Sequence, residues 1–259
     1  MKIAVCVKQV PESQAKRMDP ASKRLDRSGD GALNAFDANA IEEALRLKDA
    51  GGDGEVVLVS LGPEQALDSL RKGLAMGADR VVLISDEAAA GSDLVATSLA
   101  LAKAREREQA DLILFGQQAS DSDGAVLWAA VADRLRLPLI SQASELTVAE
   151  GKARVKRQTE FGYDVIDAPL PAVVAVSDAI NEPRYPSLKG IMGARSKEIV
   201  SRSLADLEVD PATVGGAVAT TALRETRTPP PRGATEVVRG TAEEGAARIV
   251  ELLATRRLI

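Results

Sequence analysis

The 259 residues contain no histidine, one cysteine and few aromatic side chains: three Phe, two Tyr and one Trp. Without histidine the chain has no imidazole to act as general base, proton shuttle or metal ligand. Cys6 alone forms no internal disulfide and holds no iron–sulfur cluster by itself. Placed inside an apolar strand, it reads as small buried filler. No run of about 18 apolar residues is present, which excludes a transmembrane helix. The N-terminus passes directly into a strand without a signal-peptide layout, so a cytoplasmic location is expected. The net charge of −5 gives no footprint for nucleic acid or an anionic membrane. Three nucleotide motifs are missing: the P-loop, the G-x-G-x-x-G fingerprint and an S-G-G-x-D-S loop. Together these absences describe a chain that binds something and has no evident catalytic group of its own.

What is present is a βα alternation. Short apolar runs at Ile3–Val7, Glu55–Ser60, Arg80–Ile84, Leu112–Phe115 and Leu139–Ser141 predict strands. Between them, Asp37 caps a helix with Ile41, Ala44 and Leu45 inward. A second helix carries Leu67, Leu70 and Leu74 and closes at Gly77. A third is capped by Ser92, with Val95, Leu99 and Ala102 inward, and a fourth runs from Asp123 to Leu135. This predicts an α/β fold: a doubly wound parallel sheet covered by helices on both faces. Glu145–Val148 and Arg154–Thr159 flank Glu150-Gly151-Lys152 as an antiparallel hairpin addition, with Tyr163–Ile166 as a possible third strand before a parallel run at Ala172–Val176. Residues 1–200 are taken as the nucleotide-binding domain. Residues 201–259 are taken as a C-terminal arm, with an extended Thr228–Pro231 and a last helix that opens on a Thr241/Glu244 capping box.

In such sheets ligands lie beyond the carboxyl ends of the strands. Four loops leave those ends, at Lys8, Leu61, Ser85 and Gly116. The last is the richest: Gly116, Gln117, Gln118, Ala119, Ser120, Asp121, Ser122, Asp123 and Gly124, ahead of a helix N-terminus. Small residues and exposed N–H groups suit a phosphate. Asp121 and Asp123 do not, and the loop has no Lys or Arg. The acids fit if they turn away and cap the helix, leaving the amides to the ligand.

A second segment, residues 177–199, reads SDAINEPRYPSLKGIMGARSKEI. Pro183 and Pro186 stiffen it, and Leu188, Ile191 and Met192 share a helical face among Lys189, Arg195 and Lys197, the composition of a docking surface. This string resembles the signature of the electron transfer flavoprotein beta subunit. IAVCVKQVP at 3–11, NAFDANAIEEALRLKDAG at 34–51 and AMGADRVVLI at 75–84 match the same family in order. The resemblance reaches to about residue 200.

The resemblance implies a heterodimer with an alpha subunit, around whose own C-terminal arm the arm here would wrap, and an FAD held mainly by that subunit. It implies a structural AMP in this chain. Electrons would pass from acyl-CoA or other flavin dehydrogenases to a membrane quinone reductase or another acceptor. By the same resemblance, Cys6, Asn34, Ala35, Phe36, Asp37, Leu61 and Gly116 through Leu127 contact the nucleotide. Phe36 also approaches the partner's flavin. Tyr185, Leu188, Ile191 and Met192 form the docking segment, with Leu188 as anchor and Ile191 and Met192 turned toward the domain's own core. Two departures stand out. Ala125-Val126-Leu127 replaces the family's Asn-Gln-Thr, which keeps open a bifurcating form with a second FAD in this site. Ser13 stands where some members carry a flavin-contacting Tyr. A nucleotide-binding regulatory module is the alternative of another class.

Overall fold

The computed structural model describes residues 1–12, 18–227, 230 and 237–259. Ser13 and most of the Thr228–Pro231 stretch lie outside the described residues. The chain divides into two units, Met1–Ala222 and Leu223–Ile259.

In the first unit the elements follow in order β1 (Lys2–Cys6), β2 (Gln9–Pro11), β3 (Gly31–Leu33), α1 (Ala35–Gly51), β4 (Glu55–Leu61), α2 (Leu67–Met76), β5 (Arg80–Ile84), α3 (Leu94–Glu108), β6 (Leu112–Gly116), α4 (Leu127–Leu135), β7 (Leu139–Ala149), β8 (Lys152–Thr159), β9 (Gly162–Pro169), β10 (Ala172–Val176), α5 (Leu188–Ala194) and β11 (Glu198–Arg202). Among the described residues nine strands make one sheet, in the order β11-β5-β4-β1-β6-β10-β7-β8-β9, and β2 pairs with β3 separately. From β11 through β10 to the start of β7 the pairing is parallel, and the β7-β8-β9 ribbon is antiparallel. This is the α/β class that the sequence predicts.

The strand sequences explain the layering. In β1, Ile3 and Val5 enter the core shared with α1 and α2, while Ala4 and Cys6 enter the core shared with α3 and α4. A strand buried on both faces needs an unbroken apolar run, and β1, β4, β5, β6 and β10 have one. The chain lays β4 and β5 on one side of β1, then returns to lay β6 and β10 on the other. The switch between β1 and β6 parts the connecting segments and opens a crevice above them.

Several local expectations are corrected. Leu139–Ser141 and Glu145–Val148 are a single strand, β7. Its register shifts between Ala143 and Glu145 as it leaves parallel β10 for antiparallel β8. The α3 cap is Asp93, whose carboxylate accepts the Ala96 N–H at 3.0 Å. Ser92 instead donates to the Ala89 carbonyl and accepts from Gly215. The inward face of α3 is carried by Ala96, Ala100, Leu101 and Ala104, with Ala102 buried and Leu99 packed against the core as expected, but Val95 is exposed. Asp37 lies within the first turn of α1 and caps nothing; Asn34 takes the N-cap position. α4 begins at Leu127, not at Asp123, because Asp123 and Ala125 adopt left-handed backbone angles (φ 48° and 50°) that break a helix. The chain beyond residue 200 stays in the first unit as far as Ala222, with Leu204, Leu207, Val209 and Val214 buried.

The second unit holds α6 (Ala242–Thr255), opened by the Thr241/Glu244 capping box. Ile249, Val250 and Leu252 are exposed on it.

A nucleotide-sized cleft and an anchored apolar segment

A cleft of about 1130 Å³ lies over the carboxyl ends of β6, β1, β4 and β5. Of the residues predicted to contact a nucleotide, Cys6, Asn34, Asp37, Leu61, Gly116 to Ala119, Ser122 and Gly124 to Leu127 line it. Ala35 and Ser120 are exposed, Phe36 is half-buried, and Asp121 is buried behind the loop.

Asn34 latches the loop that follows β6. Its side-chain N–H donates to the Gln118 carbonyl at 2.8 Å, and its side-chain oxygen accepts the Ser120 N–H at 3.1 Å. That pair of hydrogen bonds to the loop is why Asn34 makes no side-chain cap for α1. Beside it, the Asp37 carboxylate accepts the Lys8 N–H at 2.7 Å. Gly116 passes so close that an added Cβ would strike the Asp37 carboxylate and the Phe36 backbone. The ends of β1 and β6 and the first turn of α1 therefore meet at one buried acid. Burial pushes the Asp37 pKa up to about 7, against hydrogen bonds from Asn34, Lys8 and Gly116 that favour the charged form. Burial, with Asp37 nearby, also pushes the Cys6 thiol far above its ordinary value, which leaves it inert.

The acids of the loop do not cap α4. Asp121 takes Lys8 Nζ at 2.7 Å on one oxygen and Arg27 Nε and Nη2 at 2.9 and 2.7 Å on the other. Burial alone would raise its pKa, but these two cations hold it below the carboxylate range. Asp123 is reached by Gln118 Nε2 at 3.4 Å. The cations that the loop lacks thus come from the end of β1 and from the segment before β3. The opposite end of the cleft is acidic, with Glu64, Asp86, Glu87 and Asp93. Asp93 is held at about 2 by the Ala96 N–H first and the Thr220 hydroxyl next. Among the described residues the backbone N–H groups of Gly124, Ala125 and Val126 have no acceptor. The Trp128 indole forms part of the wall and donates to the Gln117 carbonyl at 3.0 Å.

The family model of the Electron transfer flavoprotein domain matches residues 23–207. The chain is 38% identical to the electron transfer flavoprotein subunit beta of Megasphaera elsdenii, over the whole of both chains. It is 37% identical to the caffeyl-CoA reductase-Etf complex subunit CarD of Acetobacterium woodii, again over the whole of both. With the subunit beta of Mycobacterium bovis it shares 35% identity over 99% of each chain. The chain belongs to the electron transfer flavoprotein beta-subunit family.

The segment that carries the family's signature string is bolted to α1. Arg184 Nε and Nη2 bond the two oxygens of Glu42 at 2.7 and 3.1 Å, and Nη2 also reaches Asp49. Asn181 exchanges hydrogen bonds with Asn39 and bonds Glu43 at 3.0 Å. Lys197 closes the other end on the carbonyls of Leu74 and Ala78 at 3.0 and 2.6 Å. Held at both ends, the segment presents Tyr185 (92% exposed), Leu188 (75%), Met192 (68%) and Ile191 (48%) outward. Ile191 and Met192 therefore do not turn to the core. Gly190 sits against α2 so closely that an added Cβ would strike the Ala75 carbonyl.

The residues missed from the sequence of this electron transfer flavoprotein family member are Lys8, Arg27, Trp128 and the acids of the β5–α3 loop. Lys8 stands inside the matched 3–11 string, so a signal existed. Arg27 meets Asp121 from 94 positions away, and no local pattern marks it.

Proposed function

We propose that the chain is the beta subunit of a heterodimeric electron transfer flavoprotein, holding a structural AMP in the cleft and docking flavin dehydrogenases through the Tyr185–Met192 segment. The observation that carries this reading is the cleft at the switch point, with N–H groups at Gly124–Val126 that have no acceptor among the described residues and two cations at the same end. Those donors match the chemistry of a phosphate ester, and the volume exceeds the range of about 300–1,000 Å³ usual for small-ligand sites. Asn34 and Asp37 would fix the loop against β1, and the N–H groups of Gly124–Val126 would take phosphate oxygens. FAD, held mainly by the alpha subunit, supplies the redox chemistry when bound. The residues of this chain bind, orient and recognise. The exposed apolar stripe of α6 fits an arm that packs on the alpha subunit. Electrons would then leave for a membrane quinone reductase or another acceptor. Among the described residues no helix is long and apolar enough to cross a membrane.

The breadth of the cleft favours one further reading. It runs across four strand ends, and Ala125-Val126-Leu127 offers a phosphate no side-chain donors. A second FAD in place of AMP, as in a bifurcating electron transfer flavoprotein, fits that span, and one relative is named for a caffeyl-CoA reductase-Etf complex. Nucleotide content decides between them. The chain is co-expressed with its alpha subunit, the complex is denatured, and released FAD and AMP are quantified per heterodimer. One of each is expected. Two FAD and no AMP would give the site to the second reading. No flavin and no stable partner would overturn both and leave a nucleotide-binding regulatory module.

A further inference from the structure

The segment of residues 18–30 runs between the two ends of the cleft. At one end Arg27 grips Asp121 with a two-nitrogen fork. Toward the other, the Arg24 guanidinium packs beside Gly91 and Gly216, and Gly91 holds a positive φ of 81°. Arg27 and Lys8 both line the cleft and remain partly exposed (44% and 39%), whereas the Asp121 carboxylate between them is 3% exposed. Lys8 and Arg27 outnumber the buried Asp121 carboxylate, and the other acid lining this end, Asp37, is pushed toward its neutral form by burial. Arg27 Nη1 has no acceptor among the described residues. The acids Glu64, Asp86, Glu87 and Asp93 at the far end give the cavity a gradient of charge along its length.

We infer that Arg27, positioned by Asp121 and assisted by Lys8, is the specificity-determining residue that selects phosphorylated nucleotides over unphosphorylated nucleosides in this cleft. The inference rests on the nucleotide reading given above. Its physical basis is that Asp121 orients the guanidinium without neutralising the pair. The ligand's phosphate then meets a preset donor, and the orienting carboxylate is shielded from it. The gradient sets direction as well: the phosphate lies at the β1–β6 end, and the hydroxyl-bearing and neutral parts of the ligand lie toward the acids.

The test uses the co-expressed heterodimer freed of bound nucleotide, titrated calorimetrically with AMP and with adenosine. Arg27→Gln is expected to weaken AMP roughly tenfold, the loss of one charge-assisted contact, and to leave adenosine within about twofold. Arg27→Lys keeps the charge and loses the fork. It should fall between wild type and Arg27→Gln, and it serves if the glutamine variant does not fold. If the site holds FAD, the same contrast is read between FAD and riboflavin. Equal losses for AMP and adenosine would reduce Arg27 to a strut for the segment and overturn the inference, as would unchanged AMP binding. Wild-type complex that takes up neither AMP nor FAD would overturn the nucleotide reading itself, before any variant is made.

Discussion

The two ends of the parallel strands are built on opposite principles. At the amino ends, charges are paired with one another in a half-buried network. Lys2 and Arg80 both reach Glu55, Arg80 also bonds the buried Glu108, and the Lys2 N–H bonds Asp111 at 2.8 Å. Next to them Lys48 bridges to Asp79 at 2.6 Å, and Asp79 also takes the Val56 N–H. At the carboxyl ends, charges are paired but left at a cavity wall, with donors to spare. The first arrangement spends its charges on one another, beside a smaller cavity of about 370 Å³ that Lys48 and Asp111 help to line. The second gives up packing to create a site. One sheet thus separates stability from binding along the length of its strands.

The largest break in that comparison is expected from Arg80→Ala. It leaves the buried Glu108 with only the Lys2 ammonium, 3.9 Å away, a loss of up to about 3–5 kcal/mol. Denaturant unfolding should show it, while nucleotide content of the complex stays at the wild-type ratio. A loss below about 1 kcal/mol would mean that the amino-end network is decoration.

At the carboxyl end, Asp37→Asn probes pH. Asp37 has a folded-state pKa of about 7, above its ordinary value, so the folded chain holds the proton more tightly than the unfolded one. Its contribution to stability is present in full below the ordinary value of 3.8 and is lost progressively as pH rises from there through about 7. Besides the hydrogen-bonding Asn34, Lys8 and Gly116, the titratable Cys6 thiol faces this acid. Melting temperature measured from pH 4.5 to 8 should decline for wild type relative to Asp37→Asn, and the gap should be widest in the wild type's favour at the acid end. Parallel profiles would show that Asp37 does not titrate there.

The smallest effect on stability is expected from Leu188→Ala. Exposed as it is, the side chain should change unfolding by less than about 0.5 kcal/mol. Reduction of the complex by a flavin dehydrogenase should nonetheless slow, through a raised KM. Unchanged kinetics would remove Leu188 from the docking surface.

What the sequence made legible follows the same division. The sealed sheet was readable because doubly buried strands are apolar without interruption: β5 and β10 fall on Arg80–Ile84 and Ala172–Val176 as expected. β7 was read as two pieces because its polar middle, at Gln142-Ala143-Ser144, coincides with a change of partner that only the register reveals. Of the α3 residues expected inward, Ala102 is buried and Leu99 packs against the core, whereas Val95 is exposed: its side chain outweighs Ala96, Ala100 and Ala104 in any apolar pattern, although alanine lets the helix lie closest to the sheet. The loop after Gly116 was legible as a ligand loop from its small residues. Its charge balance was not, since Lys8 and Arg27 lie 113 and 94 positions from Asp121. The exposure of Ile191 and Met192 depends on Arg184 and Asn181 gripping α1, again a contact between distant positions.

The only tryptophan of the chain stands in the wall of the cleft, its indole tied to the backbone of the loop that follows β6. This subunit therefore carries a built-in optical reporter at the place where occupancy matters. Its emission should dim by energy transfer if an isoalloxazine ring settles beside it, and should shift only slightly if the guest is an adenine nucleotide, so the identity of the guest becomes a matter of colour.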